Sequence, residues 1–98
     1  MKYHLFSILF FISTLYPDVV YRVPINGVID LGLPPFIERA LDEAEANNAK
    51  AVIFDINTFG GRVDAATQIK DAILSSKVPT IAFINRRAIS AGALISLS

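Results

Sequence analysis

The run Ala51-Val52-Ile53-Phe54-Asp55-Ile56-Asn57 constrains the fold most, because it is short and almost wholly apolar. A strand with one wet face alternates apolar and polar side chains. A run that is apolar at nearly every position needs cover on both faces, as in a parallel sheet flanked by helices. Val78-Pro79-Thr80-Ile81-Ala82-Phe83-Ile84 is a second run of this kind and predicts another buried strand. Pro79 stands near its start, where a missing N–H is tolerated. Upstream, Val19 to Ile25 is rich in β-branched and aromatic residues and predicts a first strand. Asn26-Gly27 then predicts a turn, and Val28-Ile29-Asp30 a resumed extended segment.

The segments between these runs carry a helical period. Pro34-Pro35 suits a first helical turn, and Phe36, Ile37, Ala40, Leu41 and Ala44 then fall on one face until Asn47-Asn48. Val63 to Ser75 repeats the pattern, with Val63, Ala66, Ile69, Ile73 and Leu74 predicted on the buried side. Ser90 to Leu97 begins a third helix. The order β-α-β-α-β-α predicts an α/β fold with a parallel-sheet core. Ser98 falls inside the last predicted helix with no cap, glycine or proline to close it. The expectation is therefore the N-terminal part of a longer protein, with an incomplete core of marginal stability.

Residues 1–16 form a segment of another kind. Lys2 gives a positive start, an apolar stretch runs from Leu5 to Leu15, and Pro17-Asp18 breaks it. The stretch is short for a membrane span, but its length and charge order suit a secretory signal peptide. Leu15 and Tyr16 stand where small residues would mark cleavage, so an uncleaved membrane anchor and a buried strand stay open. Residues 17–98 make the remaining domain.

Charge and residue counts narrow the chemistry. Nine basic and nine acidic residues intermix to a net charge of zero, with no basic stripe to hold nucleic acid. Cysteine is absent, which removes a thiolate nucleophile and a disulfide framework. The single histidine is His4, so these residues hold no Ser-His-Asp triad and no metal-ligand cluster. No cofactor motif is present: the glycine pair lacks the Gly-Lys-Ser/Thr ending of a phosphate loop.

Two strand ends carry the chemistry that remains, and in a parallel sheet they share one crevice. Thr58-Phe59-Gly60-Gly61-Arg62 closes the second strand, and its glycines can present backbone N–H groups to a developing oxyanion. A plain strand-to-helix turn is the alternative for that pair. Ser90 follows the third strand and is flanked by Ala88, Ala91, Gly92 and Ala93, which leave room for a substrate backbone. A helix N-cap is its alternative role. As a nucleophile it would have the Ala91 N–H as a second oxyanion donor. No Gly-x-Ser-x-Gly elbow is present. Arg62, Arg86 and Arg87 flank the loops and could meet a substrate acid. Asp64 suits a helix first turn better than catalysis, and Asp55 has no assigned role.

The two motifs together, Asn57-Thr58-Phe59-Gly60-Gly61-Arg62-Val63-Asp64-Ala65 and Arg87-Ala88-Ile89-Ser90-Ala91-Gly92-Ala93-Leu94-Ile95, resemble the NfeD family of membrane-bound, Clp-class serine proteases. The resemblance runs from about Val20 to Ser98. It implies the Clp/crotonase fold shared by the Clp protease and signal peptide peptidase A. It implies Ser90 as the nucleophile of a Ser-Lys dyad, an oxyanion hole from Gly60, Gly61 and Ala91, and substrate pairing along the backbone of Arg62 and Val63. The lysine of that dyad lies well downstream of the serine. Lys50, Lys70 and Lys77 do not match its position, so these residues alone are expected to be inactive. Phe59 departs from the proline that many relatives carry before the glycine pair.

The resemblance further implies apolar peptide substrates, a stomatin-like partner, later transmembrane helices and a small β-barrel domain. With the signal-like N-terminus it places the protease domain at the membrane, on the extracytoplasmic side. A parallel sheet with open edges predicts a homo-oligomer. Two other readings remain: a non-catalytic scaffold of the same fold acting on a membrane partner, and a crotonase-type acyl-CoA enzyme, which needs carboxylates in the crevice.

Overall fold

The computed structural model describes residues 18–98, so the predicted signal or anchor at 1–16 lies outside the described residues. The elements are β1 (Val20–Ile29), α1 (Leu33–Ala46), β2 (Ala51–Gly61), α2 (Val63–Leu74), β3 (Thr80–Ala88) and α3 (Ala91–Ser96). The strands form one three-stranded sheet in the order β1-β2-β3, and both pairings are parallel. The predicted β-α-β-α-β-α order is therefore observed. Among the described residues, no helix is long and apolar enough to cross a membrane.

The core lies on one face of this sheet. Val23 pairs with Phe54, Ile25 with Ile56, and Phe54 in turn with Ala82, so in-register neighbours share a face. Val23, Ile25, Val52, Phe54 and Ile56 are buried there against Ile37, Leu41 and Ala44 of α1, Ala66, Ile69 and Ile73 of α2, and Ile95 of α3. Truncating a buried aromatic such as Phe54 to alanine costs about 3–5 kcal/mol. The helix ends follow from local chemistry. Pro34 and Pro35 occupy the first turn of α1, where no N–H is needed. The helix stops at Asn47, whose side-chain amide donates to the Glu43 carbonyl at 3.0 Å, and Asn48 then turns to φ 53°.

Four expectations need correction. Asn26-Gly27 makes no turn: β1 runs through it, and the register with β2 shifts between Asn26 and Val28, with Gly27 at φ 73°. Parallel pairing on both sides absorbs the irregularity as a bulge. Phe36, Val63 and Leu74 are exposed, at 41%, 66% and 64%, because the helices turn Pro34 and Ala65 inward instead. β2 and β3 run past their predicted ends, to Gly61 and Ala88. Most tellingly, β3 is not a buried strand: Ile81, Phe83 and Ile84 are each about half exposed. It is one of the two edge strands of the described sheet. The opposite face carries no helix among the described residues. Buried on that face is Asp55, paired with the exposed Arg22, and its second oxygen has no partner.

Candidate active site

The C-terminal ends of β2 and β3 meet, as parallel strands require. Pairing is regular up to Ile56 and Ile84, then shifts so that Thr58 faces Ala88, and β3 bulges out over Asn85-Arg86-Arg87. Bulges of this kind re-aim the residues that follow. Beyond the shift, the Ile89 N–H donates to the Thr58 carbonyl at 3.1 Å, binding the serine loop to the glycine loop.

Gly60 is where the loops touch. A β-carbon built on it would lie 2.9 Å from the Ser90 β-carbon, 2.9 Å from the Ile89 carbonyl oxygen and 3.3 Å from the Ala91 nitrogen. Its φ of +112° is also one that side chains rarely adopt. Gly61 is needed for a different reason: a β-carbon there would stand 2.2 Å from the Ile29 carbonyl oxygen, so β1 can approach only a glycine. Arg62, next in the chain, donates its N–H to that same carbonyl at 2.8 Å.

Ser90 has φ 57° and ψ −118°, a strained conformation for a residue with a side chain. Such strain costs on the order of 1–3 kcal/mol and persists where the surroundings enforce it. The residue is exposed and occupies the N-cap position of α3, yet makes no side-chain capping hydrogen bond. Its hydroxyl is therefore not spent on the helix. The following amides of Gly92 and Ala93 reach the Ile89 and Ser90 carbonyls at 3.0 and 2.9 Å. The Ala91 N–H has no backbone acceptor among the described residues. The Gly60 N–H, by contrast, is engaged: it donates to the Thr58 hydroxyl at 3.0 Å.

Arg62 does not reach out to solvent as a free cation. Its Nε and one terminal nitrogen donate to the two carboxylate oxygens of Asp64 at 2.9 and 2.7 Å. The hydrogen bond from Arg62 holds the Asp64 carboxyl below the usual carboxylate range, helped by the Ala65 N–H against the opposing effect of desolvation. Asp64 thus fills the first-turn role predicted for it. Val63 opens α2 with its side chain in solvent, and Arg87 stacks over the exposed Phe59 ring at 4.3 Å. Val28, Phe59, Val63, Ile89 and Leu94 present exposed apolar side chains on the segments that meet here. A cleft of about 490 Å³ lies instead between α1 and α2, lined by Glu38, Asp42 and Asp71 among others and by no residue of the two loops.

Sequence reasoning missed Thr58 and the Phe59–Arg87 stack. Thr58 is 2% exposed and links both loops. Its one signal was a small hydroxyl residue on the inward face of an apolar strand.

Residues 19–98 match the family described as NfeD1b, N-terminal domain. Membrane protein NfeD1b of Bacillus subtilis is 42% identical over 80 residues, covering 82% of this chain and 18% of that protein. Membrane-bound protease PH1510 of Pyrococcus horikoshii is 36% identical over 83 residues, covering 82% and 19%. Among solved structures, a serine-to-alanine mutant of the 1510-N membrane-bound stomatin-specific protease has a TM-score of 0.76 and 34% identity, over 85% of this chain and 42% of that one. ClpP1 from Listeria monocytogenes has a TM-score of 0.72 and 28% identity, over 76% and 44%. The chain thus spans under a fifth of the length of these full-length relatives and under half of these solved chains. It belongs to the NfeD1b N-terminal domain family and has a Clp-like fold.

Proposed function

We propose that this chain is the N-terminal part of a membrane-associated serine endopeptidase in which Ser90 is the nucleophile. The observation that carries this reading is the strained, exposed Ser90, free of capping and pressed against Gly60. In the reaction, the Ser90 Oγ attacks a peptide carbonyl and its proton passes to a neutral lysine amine. The amine then gives a proton to the leaving nitrogen, and water later releases the acyl group from Ser90. The negative oxygen of each tetrahedral intermediate needs backbone donors. The Ala91 N–H, which has no backbone acceptor among the described residues, would be one such donor, and the Gly60–Gly61 turn would form the second wall.

The general base comes from further along the protein. Lys50 and Lys77 precede β2 and β3, at the sheet end opposite Ser90, and Lys77 is paired with Glu45 at 3.6 Å. Lys70 lies two turns into α2, paired with Asp71 at 3.6 Å. One solved relative is a lysine-to-alanine mutant of the stomatin-specific protease in complex with a substrate peptide, with 35% identity and a TM-score of 0.76. It supports peptide as the substrate class and a lysine as a residue worth removing.

The exposed Val28, Phe59, Val63 and Ile89 suit an apolar peptide, as a stomatin-like membrane protein would supply. The backbone of Arg62 and Val63 would pair with it. The relatives named as membrane proteins support a membrane location, and the signal-like residues 1–16 favour the extracytoplasmic side. The open β3 edge favours assembly. The acyl-CoA reading finds less support, since Asp64, the acid beside the glycine turn, is tied to Arg62.

The test is cleavage of an apolar peptide from a stomatin-like sequence by the full-length protein. Full-length protein should cleave it, and residues 18–98 alone and the Ser90→Ala protein should not. Cleavage undiminished in Ser90→Ala would overturn the assignment. A folded full-length protein that cleaves nothing would favour the scaffold.

A further inference from the structure

Thr58 sits at the junction of every segment that shapes the site. Its side chain is buried to 2% exposure on the helix-covered face of β2. The hydroxyl donates to the Gly27 carbonyl of the β1 bulge and accepts the Gly60 N–H at 3.0 Å. The backbone carbonyl of the same residue accepts the Ile89 N–H at 3.1 Å, one residue before Ser90. The methyl group lies against Gly92 in the first turn of α3, so closely that a β-carbon on Gly92 would stand 2.5 Å from it. One residue therefore touches β1, the glycine turn, the serine loop and the helix after it.

The chemistry of these contacts selects the residue type. The Gly27 carbonyl takes a donor and the Gly60 amide takes an acceptor, both from a side chain that is itself buried. Only a hydroxyl meets both demands at once in so small a volume. Valine would fill the same space and satisfy neither. By holding the Gly60 amide, the hydroxyl fixes the peptide that packs on Ser90. By its methyl and carbonyl it fixes the other loop.

We infer that Thr58 is a positioning residue that sets the distance and orientation between the Gly60–Gly61 turn and Ser90 through its hydroxyl. The inference rests on the protease reading above. Its hydroxyl would act through the backbone and never touch substrate. Loosening the turn would therefore weaken stabilisation of the transition state more than binding of the ground state, lowering kcat and leaving KM nearly unchanged.

The experiment compares full-length wild type, Thr58→Val and Thr58→Ser on an apolar peptide, together with the rate at which a serine-reactive phosphonate labels Ser90. Rates are referred to the amount of native protein. Thr58→Val should lose on the order of tenfold to a hundredfold in kcat and in labelling rate, somewhat less than removal of an oxyanion donor itself. KM should stay within about twofold, and Thr58→Ser should keep most of the wild-type rate. Wild-type kcat in Thr58→Val, or a Thr58→Ser protein as slow as Thr58→Val, would overturn the inference. Should Thr58→Val not fold, Gly92→Ala presses on the Thr58 methyl from the other side. It should lower kcat with KM unchanged, and an unaltered kcat there would overturn the inference equally. A wild type that neither cleaves nor labels overturns the protease reading and this inference with it. An active wild type beside an unimpaired Thr58→Val overturns this inference alone.

Discussion

Gly60 packs its α-carbon against Ser90 so tightly that a β-carbon added to it would lie 2.9 Å from that of the serine. The pair joins two loops that are thirty residues apart in the chain, and its closeness leads to the first expected outcome. Gly60→Ala should push the Ser90 loop away, costing about 1–3 kcal/mol of stability through overpacking and backbone strain. Labelling of Ser90 in the full-length protein should fall by about a hundredfold or more, as when an oxyanion donor is lost. A rate near that of wild type would show that the contact has no part in catalysis.

Gly61 guards a different contact. A side chain there would collide with the Ile29 backbone, at 2.2 Å from its carbonyl oxygen. Since backbone cannot rotate aside as a side chain can, Gly61→Ala should separate the ends of β1 and β2. We expect a loss of at least about 1–3 kcal/mol in chemical denaturation. Unchanged stability would mean that the two strand ends part freely.

The Arg62–Asp64 pair gives a pH signature. A carboxylate held low in the folded state contributes stability at pH above its ordinary value, and that contribution disappears as pH falls through the lowered one. At neutral pH, where that contribution is fully present, Asp64→Asn should lower the thermal midpoint slightly, as expected of a solvent-exposed pair. Below about pH 4, near the ordinary carboxylate value, the variant should lose less stability on acidification than the wild type. Parallel acid profiles for the two proteins would contradict the pairing.

Phe59 and Arg87 make a second bridge between the loops, with the guanidinium 4.3 Å from the ring centroid. The stack is exposed, so its coupling should be small, about 0.5–1 kcal/mol in a double-mutant cycle of Phe59→Leu and Arg87→Gln. A cycle that closes at zero would show the stack to be incidental.

The alternation of apolar runs and helical periods made the parallel sheet legible, since burial demands leave a direct trace in side-chain type. The same logic failed at β3. Ile81, Phe83 and Ile84 declare a need for cover but not its source, and no other described element supplies it. Val63 and Leu74 misled because they lie at the two ends of α2, where a small rotation moves a side chain from core to solvent. At the site, Gly60 and Ser90 were visible as residue types at strand ends. Thr58 was not, because its importance comes from partners in β1, the glycine turn and α3, which only the folded chain brings together.

The most direct measurement is labelling of the full-length protein with a serine-reactive phosphonate, located by peptide mass spectrometry. A single modified residue, Ser90, is expected, with labelling lost in Ser90→Ala and in a variant lacking the proposed downstream lysine. A folded full-length protein that takes up no label, or takes it up at another serine, would contradict that expectation.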